Sequence, residues 1–400
     1  MDKLIVLPGS CGLGGTTVSL SMMVRGFEKL GSSDRLCLLV RSGSLLEQYL
    51  RQTVRGDCLQ VIPGENGQQF FNMAFKWIAQ QPPGSPLLLE NCTARELLSS
   101  IALATPQLRL SRRPVYHLFR DLARSYNPLG NTFRKLIFTG LAPEAICNSR
   151  FTAENIDCLP AGVRHILHPA VDTEKFNHLP SDDPPPINLQ PILATGARII
   201  LTPSRISEPD NFNDKNLRGL IPMLARLKAS GGRYHGVVIG PDYSPGQSRT
   251  QVLLQEAQRL GVADRFTILP PTFAIEEYYK CADAVVTLAP REPFGRTVVE
   301  AIACGIPVIG SNTGGIGEIL QNFAPEWTVD SNDPIAAAEA VLRLQADCDR
   351  TNRLLELGNN WVVAQCNSVE YAKKLMDIVG FDAPTKLPET ALVQPLDSTN

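Results

Sequence analysis

Residues 3–17 read KLIVLPGSCGLGGTT. An unbroken apolar run stops at Pro8 and Gly9, and a glycine-rich turn follows. Thr16 then opens TTVSLSMMVRGFEKLG, whose apolar residues recur at helical spacing. Strand, glycine turn and helix in that order are the opening unit of a parallel α/β sheet. Gly9, Gly14 and Thr16 nearly spell a phosphate-binding P-loop. Gly15 stands where the lysine belongs, so the loop makes a poor nucleoside-triphosphate site.

The alternation continues. RLCLLV, CLQVI, PLLLE, PVYHLF and EAICNS read as strands, with amphipathic segments such as GQQFFNMAFKWIAQQ between several of them. After HLPSDDPPPINLQPIL the rhythm restarts with ARIILTPSR, the helical DKNLRGLIPMLARLKASGG, and then YHGVVIG, RFTILP, ADAVVTLA and IPVIGS. The sequence predicts two doubly wound α/β domains with a cleft between them. The expected divisions are 1–177, a proline-rich linker at 178–193, a second domain at 194–360, a late helical stretch at 361–380, and a mobile tail at 381–400.

The bulk properties suit that plan. The 400 residues are enough for two cores, and the net charge of −2 gives no electrostatic reason to expect nucleic acid as a partner. No apolar run reaches the ~20 residues of a membrane span. Only Lys3 precedes the first run, which reads as a buried strand rather than a signal peptide. Ten cysteines occur with no C-x-x-C pair. Cys37 and Cys147 sit inside apolar runs, as buried thiols of a reducing, cytoplasmic compartment would. Asn91-Cys92-Thr93 is a glycosylation sequon that matters only in a secreted protein. His165, His168 and His178 have no acid or cysteine to complete a metal site, and Asp347-Cys348-Asp349 reads as a chance D-x-D. No metal and no other cofactor is expected.

The chemistry concentrates in residues 289–319, APREPFGRTVVEAIACGIPVIGSNTGGIGEI. Upstream, Arg205 follows a strand at the sheet edge where ligands of open α/β sheets bind, and Lys215 begins the next helix. An arginine fork and a lysine point charge suit the two phosphates of a diphosphate leaving group; the alternative is two solvated surface cations. Glu292 precedes a Pro-Phe-Gly turn that lets backbone approach a ligand. Glu300 lies among apolar neighbours on a helix, where a carboxylate can accept both hydroxyls of a vicinal diol; the alternative is a helix-surface acid. Thr313, Gly314 and Gly315 offer amides at a helix start.

Glu292-x7-Glu300 followed by EAIACGIPVIGSNTGGIGEI resembles the donor site of the retaining GT-B glycosyltransferases of glycosyltransferase family 4, the glycosyl transferases group 1. LTPSRISEPDNFNDKNLRGLI resembles that family's Arg–Lys pair, and GVADRFTILPPTFAIEEYYKCADAVVTL the lead-in to its donor motif. ICNSRFTAENI with HPAVDTEKF resembles the end of its N-terminal domain. The likeness covers most of 1–320 and is specific in 280–318.

The resemblance implies two Rossmann-like domains facing a central cleft, with the late helix crossing back to the first. It implies a hexosyltransferase-type enzyme that moves a sugar from a UDP-, GDP- or ADP-sugar to a hydroxyl acceptor, such as a polysaccharide, lipid or small glycoside, with retention and without metal. On this likeness Glu292 contacts the donor sugar beside its anomeric carbon, with Phe294, Gly295 and Arg296 in the same loop. Glu300 holds the ribose, and Arg205 and Lys215 hold the diphosphate. Gly14 and Gly15 match a glycine pair that lies against the donor phosphates, the alternative being a tight turn without ligand. The family's His-Asp pair is replaced by Arg120-Asp121, with His117 three residues earlier as a strand-end contact or a structural histidine. Pro270 stands where glycine is usual and Arg296 where an apolar residue is frequent, which bears on base and sugar choice. A nucleotide-sugar epimerase and a non-catalytic nucleotide-sugar-binding protein remain as alternatives. Residues 109–135, RLSRRPVYHLFRDLARSYNPLGNTFRK, are basic and interleaved with Leu, Phe and Tyr. They could dock on the anionic inner face of a membrane, hold an anionic acceptor, or form a solvated basic face.

Overall fold

The computed structural model describes residues 2–12, 14–124, 127–156, 158–159, 164–180, 183–210 and 214–382. The chain divides into two compact units. One comprises residues up to 170 together with those from 365 onward; the other comprises 171–364.

The first unit is built on a seven-stranded sheet in the order β3-β2-β1-β4-β5-β6-β7. Its strands are β1 (Leu4–Pro8), β2 (Leu36–Arg41), β3 (Leu59–Ile62), β4 (Leu87–Glu90), β5 (Val115–Phe119), β6 (Glu144–Cys147) and β7 (Arg164–Ile166). Neighbours pair in parallel throughout. Helices cover both faces, which is why β1 is buried at every position and reads as a continuous apolar run rather than an alternating one. Ile5 and Leu7 enter one core with Phe70, Phe71 and Phe119; Leu4 and Val6 enter the other with Met23, Phe27 and Leu375.

The second unit repeats the plan with six parallel strands in the order β10-β9-β8-β11-β12-β13. They are β8 (Arg198–Pro203), β9 (Tyr234–Ile239), β10 (Phe266–Leu269), β11 (Ala284–Thr287), β12 (Val308–Ser311) and β13 (Thr328–Val329). In each sheet the strand order reverses between the first and fourth strands of the unit, β1 and β4 in one, β8 and β11 in the other. The crevice at the carboxyl ends of such a pair is where an open α/β sheet receives its ligand.

The proline-rich stretch expected to join the domains is part of the second unit, and the chain changes unit at 170/171 instead. Residues 190–193 form a turn of helix, and Asn188 accepts a hydrogen bond from the Tyr278 hydroxyl (2.7 Å). The late helical stretch is interrupted. Helix Cys348–Gln365 ends before Asn367, whose side chain caps a separate helix, Ser368–Ile378. That helix packs on Gly15–Lys29 in the first unit. Gly26 permits the approach, because a Cβ there would lie 2.1 Å from the Ser368 carbonyl oxygen. Of the expected tail, residues 383–400 lie outside the described residues.

Candidate functional site

In the second unit the chain leaves β8 through Ser204 and Arg205. The Ser204 amide donates to Ile239 O (2.9 Å), and Ile206 bridges to Asp242, so Arg205 is held at the carboxyl edge with its side chain exposed. Gly240 makes this course possible, since a Cβ there would come 2.1 Å from the Ser204 carbonyl oxygen. Lys215 does not begin a helix, as its sequence context suggests. It precedes Asn216, which sits in the left-handed region (φ 48), and the helix proper starts at Leu220 after a short turn. Buried Asn216 is anchored by its amide to Ser331 O (2.5 Å) and by its backbone N–H to Asp214 (2.7 Å). Asp214 in turn takes both arms of the Arg218 guanidinium (2.9 and 2.7 Å). So fixed, Lys215 forms an ion pair with Glu292. The pair spans the point where the second sheet reverses its strand order: Lys215 follows β8 and Glu292 follows β11.

The loop carrying Glu292 is itself clamped. Gly315 donates its amide to Glu292 O (2.7 Å), and the Thr313 hydroxyl donates to Pro290 O (2.7 Å). A Cβ on Gly314 would lie 2.9 Å from Glu292 O, and one on Gly315 2.4 Å from Phe294 O. The glycines of NTGGIGE are therefore required by backbone packing. Of the three amides expected at this helix start, that of Thr313 donates to Ser311 Oγ (3.2 Å) and that of Gly315 to Glu292 O. Phe294 is buried. Gly295, with φ of 101°, turns the chain into helix Arg296–Ala303 in a conformation that disfavours a side chain.

One turn along that helix, Glu300 accepts from Arg296 Nε (3.0 Å) and from the Tyr279 hydroxyl (3.1 Å). Tyr279 is fully buried on helix Ile275–Lys280. Burial, and then the neighbouring Glu300 carboxylate, raise its phenol well above the ordinary value, so it stays a neutral donor. Tyr279 and Asn216 were not singled out in the sequence. A tyrosine in a short helix of mixed character and an asparagine in a polar loop carry no signal until the fold shows what they touch.

In the first unit, Gly14 and Gly15 are exposed at the start of helix Gly15–Lys29, and a Cβ on either would meet nothing within 4 Å. The glycine that packing demands there is Gly9, where a Cβ would lie 2.4 Å from Asn91 O. His117 is not a strand-end contact. It is fully buried in the middle of β5, its ring 4.0 Å from that of Phe119 and 4.9 Å from that of Phe138. Neither ring nitrogen has a partner in ordinary hydrogen-bond geometry, and burial, opposed weakly by the Cys92 backbone, lowers the imidazole to about 3. Arg120 faces the other way and forms a buried ion pair with Glu90, the last residue of β4. The Arg120 main chain is pinned by Asn91 (3.1 Å) and Asn148 (3.1 Å), and buried Tyr371, from helix Ser368–Ile378, lies against the guanidinium.

Asp347 caps the following turn through the Arg350 N–H (3.0 Å). Among the described residues, no group of three or more His, Cys, Asp or Glu is placed to hold a metal ion, and no helix is long and apolar enough to cross a membrane.

Residues 193–361 match the family model for glycosyl transferases group 1. The chain is 32% identical over 146 residues to a D-inositol 3-phosphate glycosyltransferase of Salinispora tropica, covering 36% of this chain and 30% of that protein. It is 26% identical over 264 residues to the protein of the same name from Streptomyces bingchenggensis, covering 61% and 56%. The matches thus span between about a third and just over half of those relatives' length. Among solved structures, Anabaena HepE in complex with UDP superposes with a TM-score of 0.75 at 18% identity, covering 94% of this chain and 99% of that one. Sucrose-phosphate synthase of Thermosynechococcus elongatus does so at 0.65 and 17% identity, covering 94% and 98%. The fold of the chain is that of these GT-B proteins.

Proposed function

We propose, from the match of residues 193–361 to the family model for glycosyl transferases group 1, that the chain is a glycosyltransferase using a nucleoside diphosphate sugar as donor. The observation that carries the reading is the Lys215–Glu292 ion pair across the switch point of the second sheet. A donor of this class departs as a diphosphate that gains negative charge at the transition state, so it needs cations beside the leaving group. Lys215 and Arg205 supply them. Glu292 lies at the distance of one ion pair from Lys215, where a carboxylate can accept from the hydroxyls of a sugar joined to that diphosphate. Glu300, oriented by Tyr279 and Arg296, accepts from the ribose diol. UDP-sugars are the first donors to test, because the HepE neighbour has been solved with UDP and with UDP-glucose. The acceptor is a hydroxyl compound, transfer proceeds with retention, and catalysis requires no divalent ion.

The test is direct. UDP-glucose, GDP-mannose and ADP-glucose are screened for a rise in melting temperature, since a ligand held only by the folded state stabilises it. The donor that binds is then incubated with hydroxyl acceptors, and release of nucleoside diphosphate is followed with and without EDTA. The anomeric coupling of the product reports retention. Failure of every nucleotide sugar to bind overturns the donor assignment. Loss of turnover in EDTA, restored by a divalent ion, overturns the metal-independent mechanism.

A further inference from the structure

The basic segment 109–135 resolves into two populations. Arg113 and Arg134 are buried structural residues: Arg113 donates to Ser85 O (2.5 Å), Ile78 O (3.0 Å) and Gln81 O (2.9 Å), and Arg134 to Ala123 O (2.9 Å) and Thr93 O (3.1 Å). Arg109, Arg112 and Lys135 are exposed. They accompany a large apolar surface on two helices of the first unit that pack on each other, Arg95–Leu110 and Pro128–Leu141.

On the second of these helices Leu129, Phe133 and Leu136 are spaced four and three residues apart, so they form one stripe. Ile137, Phe138 and Leu141 take the opposite side into the core. Leu129 is 77% exposed and Leu136 67%. On the first helix Leu103 and Leu110, seven residues apart, are 79% and 85% exposed while Leu97, Leu98, Ile101 and Leu108 are buried. An isolated exposed leucine is unremarkable, but five large apolar side chains on two adjacent helices mark an interaction surface. The electrostatics choose its occupant. Glu96 is the only acidic residue in the two helices, and Arg95, Arg109, Lys135 and the nearby Arg112 are exposed. A second copy of the same face would oppose like charges. An anionic bilayer answers both features: its interior takes the leucines and Phe133, and its phosphates meet the flanking cations, whose aliphatic stems reach along the apolar stripe.

We propose that the paired helices Arg95–Leu110 and Pro128–Leu141 form a docking surface for an anionic lipid bilayer. The surface is independent of the donor chemistry assigned to the second unit.

The experiment is co-sedimentation of the full chain with vesicles of phosphatidylcholine alone and of phosphatidylcholine with phosphatidylglycerol, at low and high salt. Wild type should bind the anionic vesicles, bind the neutral ones far more weakly, and be partly released by salt, because screening weakens the cation contribution. The triple variant Leu129→Ser, Phe133→Ser, Leu136→Ser should lose binding with an unchanged melting temperature, since all three side chains are exposed. Arg109→Glu with Arg112→Glu should lower partitioning by at least about tenfold, each lost cation alone being worth about a factor of five near an anionic surface. Absence of vesicle binding by wild type, or equal binding by the triple variant, overturns the proposal. Concentration-dependent dimerisation abolished by the same substitutions, without vesicle binding, would also overturn it and assign the face to a second copy.

Discussion

Lys215 and Glu292, 77 positions apart in the chain, are joined by an ion pair across the reversal point of the second sheet. Their side chains retain 22% and 23% of their exposure, so a ligand can reach both and the pair is only partly screened by water. Without donor, each charge neutralises the other. On the function proposed above, a diphosphate arriving at Lys215 would compete with Glu292 and so release the carboxylate to accept from the sugar. Glu292→Gln is therefore expected to bind UDP more tightly than wild type, by a factor of a few or on the order of 1 kcal/mol, while kcat falls steeply. Lys215→Ala should weaken UDP binding by roughly 1.5–3 kcal/mol, the range for charge-assisted hydrogen bonds. Calorimetry on the two variants decides the point. Weaker UDP binding by Glu292→Gln would show that the pair does not oppose the nucleotide.

Tyr279 is expected to act through Glu300. Its hydroxyl donates to one carboxylate oxygen while Arg296 donates to the other, so the two fix the plane of the carboxylate that the proposed function assigns to the ribose diol. Tyr279→Phe removes one of these bonds and leaves the ring in place. The donor KM should rise several-fold with little change in kcat, the pattern of lost uniform binding. Wild type should bind UDP better than 2′,3′-dideoxy-UDP, and Tyr279→Phe should lose much of that preference. A general packing defect would weaken both nucleotides alike, so an unchanged ratio rules out the orienting role.

The sheets were legible because parallel strands buried on both faces leave long apolar runs. KLIVLP, PLLLE and ARIILTPSR all lie on strands within a residue or two of their ends. Strand β13 was not, since two residues that add to a sheet edge have no periodicity to detect. Motif spacing located Lys215 and Glu292 but not their contact, which depends on a fold that brings distant loops together. The same limit hid the use of Gly314 and Gly315. A glycine pair before a helix reads alike whether a ligand or a neighbouring loop needs the space. His117 stayed open between a strand-end contact and a structural histidine for a related reason: strand alternation cannot tell which face of β5 carries the core phenylalanines.

Those two kinds of glycine should separate in mutagenesis. Gly315→Ala places a methyl group 2.4 Å from the Phe294 carbonyl oxygen, a backbone atom that no rotamer change can move. The loop bearing Glu292 must shift, so stability should fall by about 1–3 kcal/mol and turnover with it. Gly15→Ala has open space and should leave the melting temperature essentially unchanged. Thermal melts of the two variants separate the cases. Equal melting temperatures for Gly315→Ala and wild type would refute the packing role.

The buried imidazole of His117 predicts a specific acid sensitivity. Its ordinary value near 6.5 is lowered to about 3 in the folded chain, chiefly by burial among Phe119 and Phe138. A base whose folded pKa lies below its unfolded one binds fewer protons in the native state. Its neutral form is favourable above pH 6.5, and stability is lost as pH falls from there toward 3, where the folded imidazole finally charges. At pH 5 the deficit from this residue is about 2 kcal/mol, at 1.36 kcal/mol for each pH unit below the unfolded value. His168, lowered to about 4 by burial and then by Lys374 and Arg150, acts in the same direction. His117→Leu replaces an unpartnered polar ring with an apolar side chain. It should be neutral or stabilising at pH 7 and should flatten the fall in stability between pH 7 and pH 5, leaving the shares due to His168 and to His235, which burial also lowers. Because His117 lies inside the sheet and touches no exposed surface, donor turnover at pH 7 should survive the change. Chemical denaturation of wild type and His117→Leu at the two pH values measures the effect. Parallel losses of stability in both proteins would mean that His117 does not titrate as its burial requires.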